Sequence, residues 1–208
     1  MLWLRLATRR LVNSRSSSAR PISRAFRATT PSWAKAVSAS SLSDPAEAEA
    51  LLYLEKGTAK LEEGDILAAK ELYQRSCEIR TTPSSLFNLG VTHYHLKDYE
   101  SAISSWKQSL ELQPSADAHT NLASAYIMSP AARPDLALHH LHTAVSLSPD
   151  DAEIAFNLAA VLEATGNLEG ALEQYQRSQK QGVERAAIHI RNVSAKILLR
   201  DTEKPSQS

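Results

Sequence analysis

LFNLGVTHYHLKDYESAISSWKQSLELQP (86–114) decides the reading of the chain, because its pattern returns on both sides of it. Downstream, AHTNLASAYIM (118–128) repeats its opening and DLALHHLHTAVSLSP (135–149) repeats its close. AFNLAAVLEATGNLEGALEQYQRSQKQGV (155–183) matches it over the whole unit, and GTAKLEEGDILAAKELYQRSCEIRTTP (57–83) precedes it. A small residue recurs as Ala69, Ala102, Ala137 and Ala171, at spacings of 33, 35 and 34. Four residues on stands a large one (Tyr73, Trp106, Leu141, Tyr175), and three further on another small one (Ser76, Ser109, Ala144, Ser178). The first half of each unit has its own small position: Gly57, Gly90, Ala123 and Ala159.

These offsets of three and four are helical. Each unit therefore reads as two amphipathic helices. The turns between them fall at Gly64-Asp65, Lys97-Asp98 and Gly166-Asn167, and Pro114 and Pro149 stop second helices. Small residues let two backbones approach, and the large ones fill the space that remains. One hairpin cannot bury its apolar face alone, whereas stacked neighbours can.

Period, small positions, bulky positions and prolines together resemble the tetratricopeptide repeat family over about residues 46–183. The resemblance implies an all-α, right-handed superhelical solenoid of about four hairpins. The sequence departs from the pattern at Thr81 and Val183, where Pro is usual, and at His93, where Tyr is usual. The third unit carries about two extra residues in SPAARP (129–134), whose prolines force an extended loop. ERAAIHIRNVSAKILLR (184–200) is expected to form a capping helix, its Asn192-Val193-Ser194 repeating the first-helix pattern. The array with its cap is thus placed at 46–200 and a polar tail at 201–208.

Composition bounds the rest. The 208 residues hold 23 basic and 23 acidic side chains, but residues 1–43 contain eight of the basic ones and no acid. From Asp44 on there are 15 basic and 23 acidic residues, a net of −8. The first 43 residues also hold ten serines, and MLWLRLATRRLV sets Leu4, Ala7 and Leu11 apart from Arg5 and Arg9. Arg-rich, Ser-rich and acid-free is the composition of a mitochondrial transit peptide. Arg24-Ala25-Phe26 through Trp33 resembles a two-step processing site, which gives a cleaved, disordered segment over 1–33, a new N-terminus at Ala34 and a linker over 34–45. The matrix is the expected destination, with peripheral association at the inner membrane as an alternative.

In the resembled family the first helices line the concave side. There stand Asn88, Asn121, Asn157 and Asn192, each two residues before the small position, at spacings of 33, 36 and 35. A carboxamide offers a donor and an acceptor, which suits the backbone of an extended peptide. Phe87, Val91, Tyr94, Ile127 and Phe156 are the apolar residues expected beside this ladder, with Glu55, Glu62, Asp117, Glu153 and Glu163 as its acids. A neutral or cationic client segment follows. Family members that clamp the acidic tails of Hsp70 or Hsp90 do so with Lys and Arg. Leu54, Thr58, Phe87, Val91, Asp117 and Glu153 stand at those positions here, which argues against such a partner.

No other chemistry is legible. His139, His140 and His142 fall on the outer side of a second helix and read as solvated. Cys77 reads as a small buried hydrophobe. No metal site, cofactor or catalytic constellation is expected, and no transmembrane segment. A chain with a net of −7 from Ala34 on is a poor RNA binder. The expectation is a non-enzymatic mitochondrial adaptor that grips a client segment and assists assembly of a larger complex, with a respiratory-chain complex as the class. The alternative is a permanent structural subunit packed through its convex face.

Overall fold

Helix starts in this chain are written in its short polar residues. Asp44, Asp65, Thr82, Asp98, Ser115, Asp151 and Asn167 each accept a hydrogen bond from a backbone N–H of the first turn that follows. The computed structural model describes residues 44–203, so the segment read as a transit peptide and the last five residues lie outside it. Among the described residues the helices are α1 (Pro45–Glu62), α2 (Ile66–Ile79), α3 (Pro83–His95), α4 (Tyr99–Leu112), α5 (Ala116–Met128), α6 (Pro134–Leu147), α7 (Ala152–Ala164), α8 (Leu168–Lys180) and α9 (Ala186–Glu203), with no strand. α6 has no side-chain cap and begins on Pro134 instead, which has no N–H to satisfy.

α1–α2, α3–α4, α5–α6 and α7–α8 pack as hairpins, each second helix packs on the first helix of the next unit, and α9 packs on α8. The result is an all-helical solenoid. Three hairpins share one turn. Gly64, Lys97 and Gly166 have φ of 86°, 63° and 87°, and the next residue both caps the following helix and bonds back, 2.9 Å, to the carbonyl of Lys60, His93 or Leu162. The third hairpin replaces this turn with the 129–134 loop, closed by Arg133 N–H on the Tyr126 carbonyl at 2.9 Å.

The core confirms the small-and-large code. Ala69, Ala102, Ala137 and Ala171 are fully buried, and Tyr73, Trp106, Leu141 and Tyr175 lie beside them in the interior. A Cβ built on Gly90 would sit 2.5 Å from Trp106 Nε1, and one on Gly57 would sit 2.7 Å from the Tyr73 ring. The second small position has a further reason. The hydroxyls of Ser76, Ser109 and Ser178 each donate, at 2.8 Å, to a carbonyl 26 residues earlier, at Ala50, Pro83 and Ala152. These bonds staple each second helix to the start of its own first helix. Ala144 has no hydroxyl, so the third hairpin lacks the staple.

Two expectations are corrected. Cys77 is half-buried rather than enclosed, and burial pushes its thiol pKa up. α9 runs on through Glu203, three residues into the stretch read as tail.

Candidate functional site

The four asparagines occupy equivalent places on α3, α5, α7 and α9, but their surroundings differ. Asn88 and Asn121 are 1% and 0% exposed, Asn157 is half-buried and Asn192 is exposed. The gradient follows the stacking, because a following hairpin covers the earlier positions and, among the described residues, none stacks beyond α9. Neither Oδ1 nor Nδ2 of Asn121 has a hydrogen-bond partner, and Oδ1 of Asn88 has none. Burying an unsatisfied amide costs about 1–3 kcal/mol. These atoms are enclosed as well as unbonded, which corrects the expected ladder: its first two rungs lie inside the array rather than on the groove surface.

The apolar residues expected beside the ladder belong largely to the core. Phe87 and Val91 are buried, Val91 completely, and the Phe87 carbonyl accepts from Trp106 Nε1 at 3.0 Å. Tyr94 is half-buried, 5.4 Å edge-on from Tyr99 and 6.0 Å from Trp106 by ring centroids, and burial pushes its hydroxyl pKa up to about 12. Ile127 packs, half-buried, against the same cluster. Phe156 stacks edge-on with Tyr175 and His189, and the Arg185 guanidinium lies 4.3 Å over its ring. α9 thus covers this residue.

The acids divide in the same way. Glu55 and Glu62 are exposed and Asp117 is half-buried. Glu153 is ion-paired with Arg185. Glu163, with a side chain only 7% exposed, accepts from Lys196 Nζ at 2.7 Å and Tyr175 hydroxyl at 3.0 Å, with His189 at 3.8 Å. Arg200 pairs with Glu169. Arg185 and the α9 cations Lys196 and Arg200 therefore pair with Glu153, Glu163 and Glu169 of the fourth hairpin, while Glu55 and Glu62 lie exposed on the first.

The three histidines of α6 are not uniformly solvated. His139 and His142 are exposed, but His140 is half-buried, stacked on Tyr126 at 5°. Its Nδ1 is 2.9 Å from His119 Nδ1 on α5, so one ring holds the proton and the other accepts. Burial, with His119, His139 and Lys107 adding positive charge, lowers the His140 pKa to about 4. The contact spans 21 residues and crosses the irregular loop, and no spacing in the sequence announces it. Among the described residues no group of three or more His, Cys, Asp or Glu side chains could hold a metal ion. None of the described helices is long and apolar enough to cross a membrane.

Tetratricopeptide repeat models match residues 83–116 and residues 131–197. Over these two stretches the chain carries tetratricopeptide repeats. No curated protein sequence matches it. Among solved structures, MamA from Desulfovibrio magneticus RS-1 is similar at 21% identity and a TM-score of 0.65, covering 74% of this chain and 88% of MamA. YrrB, described as a tetratricopeptide protein with an unusual peptide-binding site, aligns at 19% identity and a TM-score of 0.62, covering 74% of this chain and 79% of YrrB. The first tetratricopeptide domain of Spaghetti, bound to the HSP90 peptide SRMEEVD, aligns at 22% identity and a TM-score of 0.53, over 56% of this chain and 94% of that one. At these identities the likeness establishes the fold of the array.

Proposed function

We propose that this tetratricopeptide array is a non-enzymatic adaptor that takes an extended segment of a client protein along its first helices. What supports the reading is the fold together with the recurrence of an asparagine at equivalent first-helix places; the unbonded amide atoms of Asn121 and Asn88 are themselves enclosed. An extended backbone presents N–H and C=O groups in alternation, and a carboxamide can serve both. Asn157 continues the row, half-buried. Tyr94 and Ile127 supply what apolar surface remains between the rungs. Glu55 and Glu62 favour a neutral or cationic segment. The Spaghetti domain holds an acidic HSP90 peptide. This chain has no Lys or Arg at Leu54, Thr58, Phe87, Val91, Asp117 or Glu153, so its client is of another kind.

The acid-free, Arg- and Ser-rich first 43 residues support import into the mitochondrion, with the matrix as destination and assembly of a respiratory-chain complex as the class of task. Residues 1–33 fused to a fluorescent reporter are expected to carry it into mitochondria, and the mature protein is expected to begin at Ala34. A reporter left in the cytosol overturns this half of the proposal.

The groove has a sharper test. An amide already satisfied inside the fold is costly to remove, while an orphaned one is not. Asn88→Ala with Asn121→Ala and Asn157→Ala is expected to abolish capture of the client in pull-downs from mitochondrial extract. The unfolding midpoint should stay level or rise. Retained partners would favour the competing structural role, in which second helices pack permanently on a complex through exposed Leu67, Leu112 and Leu147.

A further inference from the structure

The third hairpin is put together differently from its neighbours. It has no serine staple, no side-chain cap on α6, and the 129–134 loop in place of the shared turn. In their stead α5 and α6 are tied by His119 and His140, whose Nδ1 atoms stand 2.9 Å apart. Tyr53 and Leu72, Leu86 and Ser105, and Ala155 and Gln174 stand at the same places in the other three hairpins. The histidine pair is therefore no part of the repeat code.

Both rings are half-buried and held in place. His140 lies flat on Tyr126, 5.6 Å away by ring centroids, and His119 is 5.1 Å from His140, inclined at 38°. The separation of the two nitrogens is that of a hydrogen bond. It is also the bite of a chelate. An imidazole nitrogen sits about 2.0–2.1 Å from a first-row divalent ion such as zinc. Two such nitrogens at a right angle on one ion lie about 2.9 Å apart, whereas a tetrahedral pair lies about 3.3 Å apart. Right angles are the preference of square-planar and tetragonal copper(II) and nickel(II), which imidazole suits. Calcium and magnesium prefer oxygen, and the two facing atoms here are nitrogens.

We propose that His119 and His140 form a two-histidine chelate for a divalent ion of the copper(II) class, bound through both Nδ1 atoms, with water filling the remaining positions. The ring that donates in the ion-free protein then carries its proton on Nε2. Each Nδ1 thereby presents a lone pair, and no proton is released. Lys107 Nζ, 5.9 Å from the Tyr126 ring, opposes a cation here and keeps the affinity moderate. The bound ion clamps α5 to α6 in the one hairpin that lacks the staple, so binding raises stability. The first-helix asparagines take no part, which makes this site independent of client capture.

The probe is copper(II) chloride, titrated calorimetrically into the full chain carrying Cys77→Ser, which removes the single thiol. The tightest site should hold one ion per chain. Pulsed electron paramagnetic resonance should count two imidazole nitrogens on it. The thermal midpoint should rise by about 3–6 °C at a tenfold excess of free ion over the dissociation constant, and fall back on chelation. His119→Leu and His140→Ser place there the residues that the second hairpin already carries. Each should weaken binding at least tenfold and leave no more than one imidazole on the ion. His139→Ala with His142→Ala removes two exposed side chains and should keep both the ion and the two-nitrogen signal. If the substitutions at 119 or 140 fail to fold, this double variant carries the test. No binding at about 100 µM ion overturns the proposal and leaves a hydrogen-bonded pair. A site that survives His119→Leu, or is lost with His139 and His142, marks adventitious surface binding and overturns it too. So does a signal from one imidazole alone in the protein with its histidines intact.

Discussion

Gly90 and Gly64 are both glycines of a helical hairpin, yet a methyl group would fail at each for a different reason. At Gly90 the added carbon meets Trp106 Nε1 at 2.5 Å, and Trp106 is fully buried, so neither can yield. Overpacking of this kind costs about 1–3 kcal/mol. At Gly64 there is open space, but φ is 86°, and a side chain there costs about 1–2 kcal/mol in backbone strain. Gly90→Ala should therefore lower the urea midpoint at least as much as Gly64→Ala. Only Gly90→Ala should perturb the Trp106 environment, read by near-ultraviolet circular dichroism. Equal spectra would show that the backbones do not close on the indole. His140 gives the second prediction. In the fold its neutral form is favoured, with a pKa near 4 against 6.5 for an unperturbed ring. Above pH 6.5 both states are neutral and nothing is lost. As pH falls from 6.5 toward 4 the unfolded chain takes up the proton first, so stability drains away, and the loss levels off below the folded value. His119 is shifted in the same direction by burial and adds to this slope. His140→Phe should show a shallower loss of thermal midpoint across that window than the wild type, and parallel curves would refute the assignment. Gly90 and Trp106 were readable from sequence because their spacing repeats. The His119–His140 contact was not, because a single pair leaves no period. The Ser76, Ser109 and Ser178 staples were half readable: their size showed in the pattern, but the acceptor carbonyl lies in another helix.

α9 holds to the array through Ala186 and Val193, fully buried, with Ile190 and Ile197 packed against the same core, and through a set of ion pairs. Lys196, Arg200 and Arg185 reach Glu163, Glu169 and Glu153, each 31 to 33 residues away. The Arg and Lys partners are at least 38% exposed, and such pairs are individually weak. Glu163 differs, since its own side chain is 7% exposed and also accepts from Tyr175. Glu163→Ala leaves a buried tyrosine hydroxyl without its acceptor, at about 1–3 kcal/mol. Amide exchange should speed up along α9 while α3 to α6 keep their protection; uniform loss across the molecule would mean that α9 is no separate unit. That this segment is helical was plain from its periodicity. Its pairing was hidden, because acids and bases on exposed faces can find many partners and only the stacking angle selects among them.

The array divides its labour along its length. Orphaned amides lie in the second and third hairpins, while the fourth is sealed by α9 and its cations. Removing residues 184–208 should expose Phe156 and Tyr175 and free three carboxylates. The truncated chain should lose solubility and melt earlier, measured by light scattering during a thermal ramp. Unchanged scattering would show that the fourth hairpin needs no cover. The code that places a small residue sixteen positions before a large one is closed within each complete hairpin except the third, where the loop lengthens it to eighteen. Such a hairpin carries its own cap, turn and hydroxyl staple and asks of its neighbours only a matching face. In-frame duplication of residues 83–115 should then yield a longer superhelix without redesign of any existing contact, and tandem copying of this kind is an open route by which such a chain could grow.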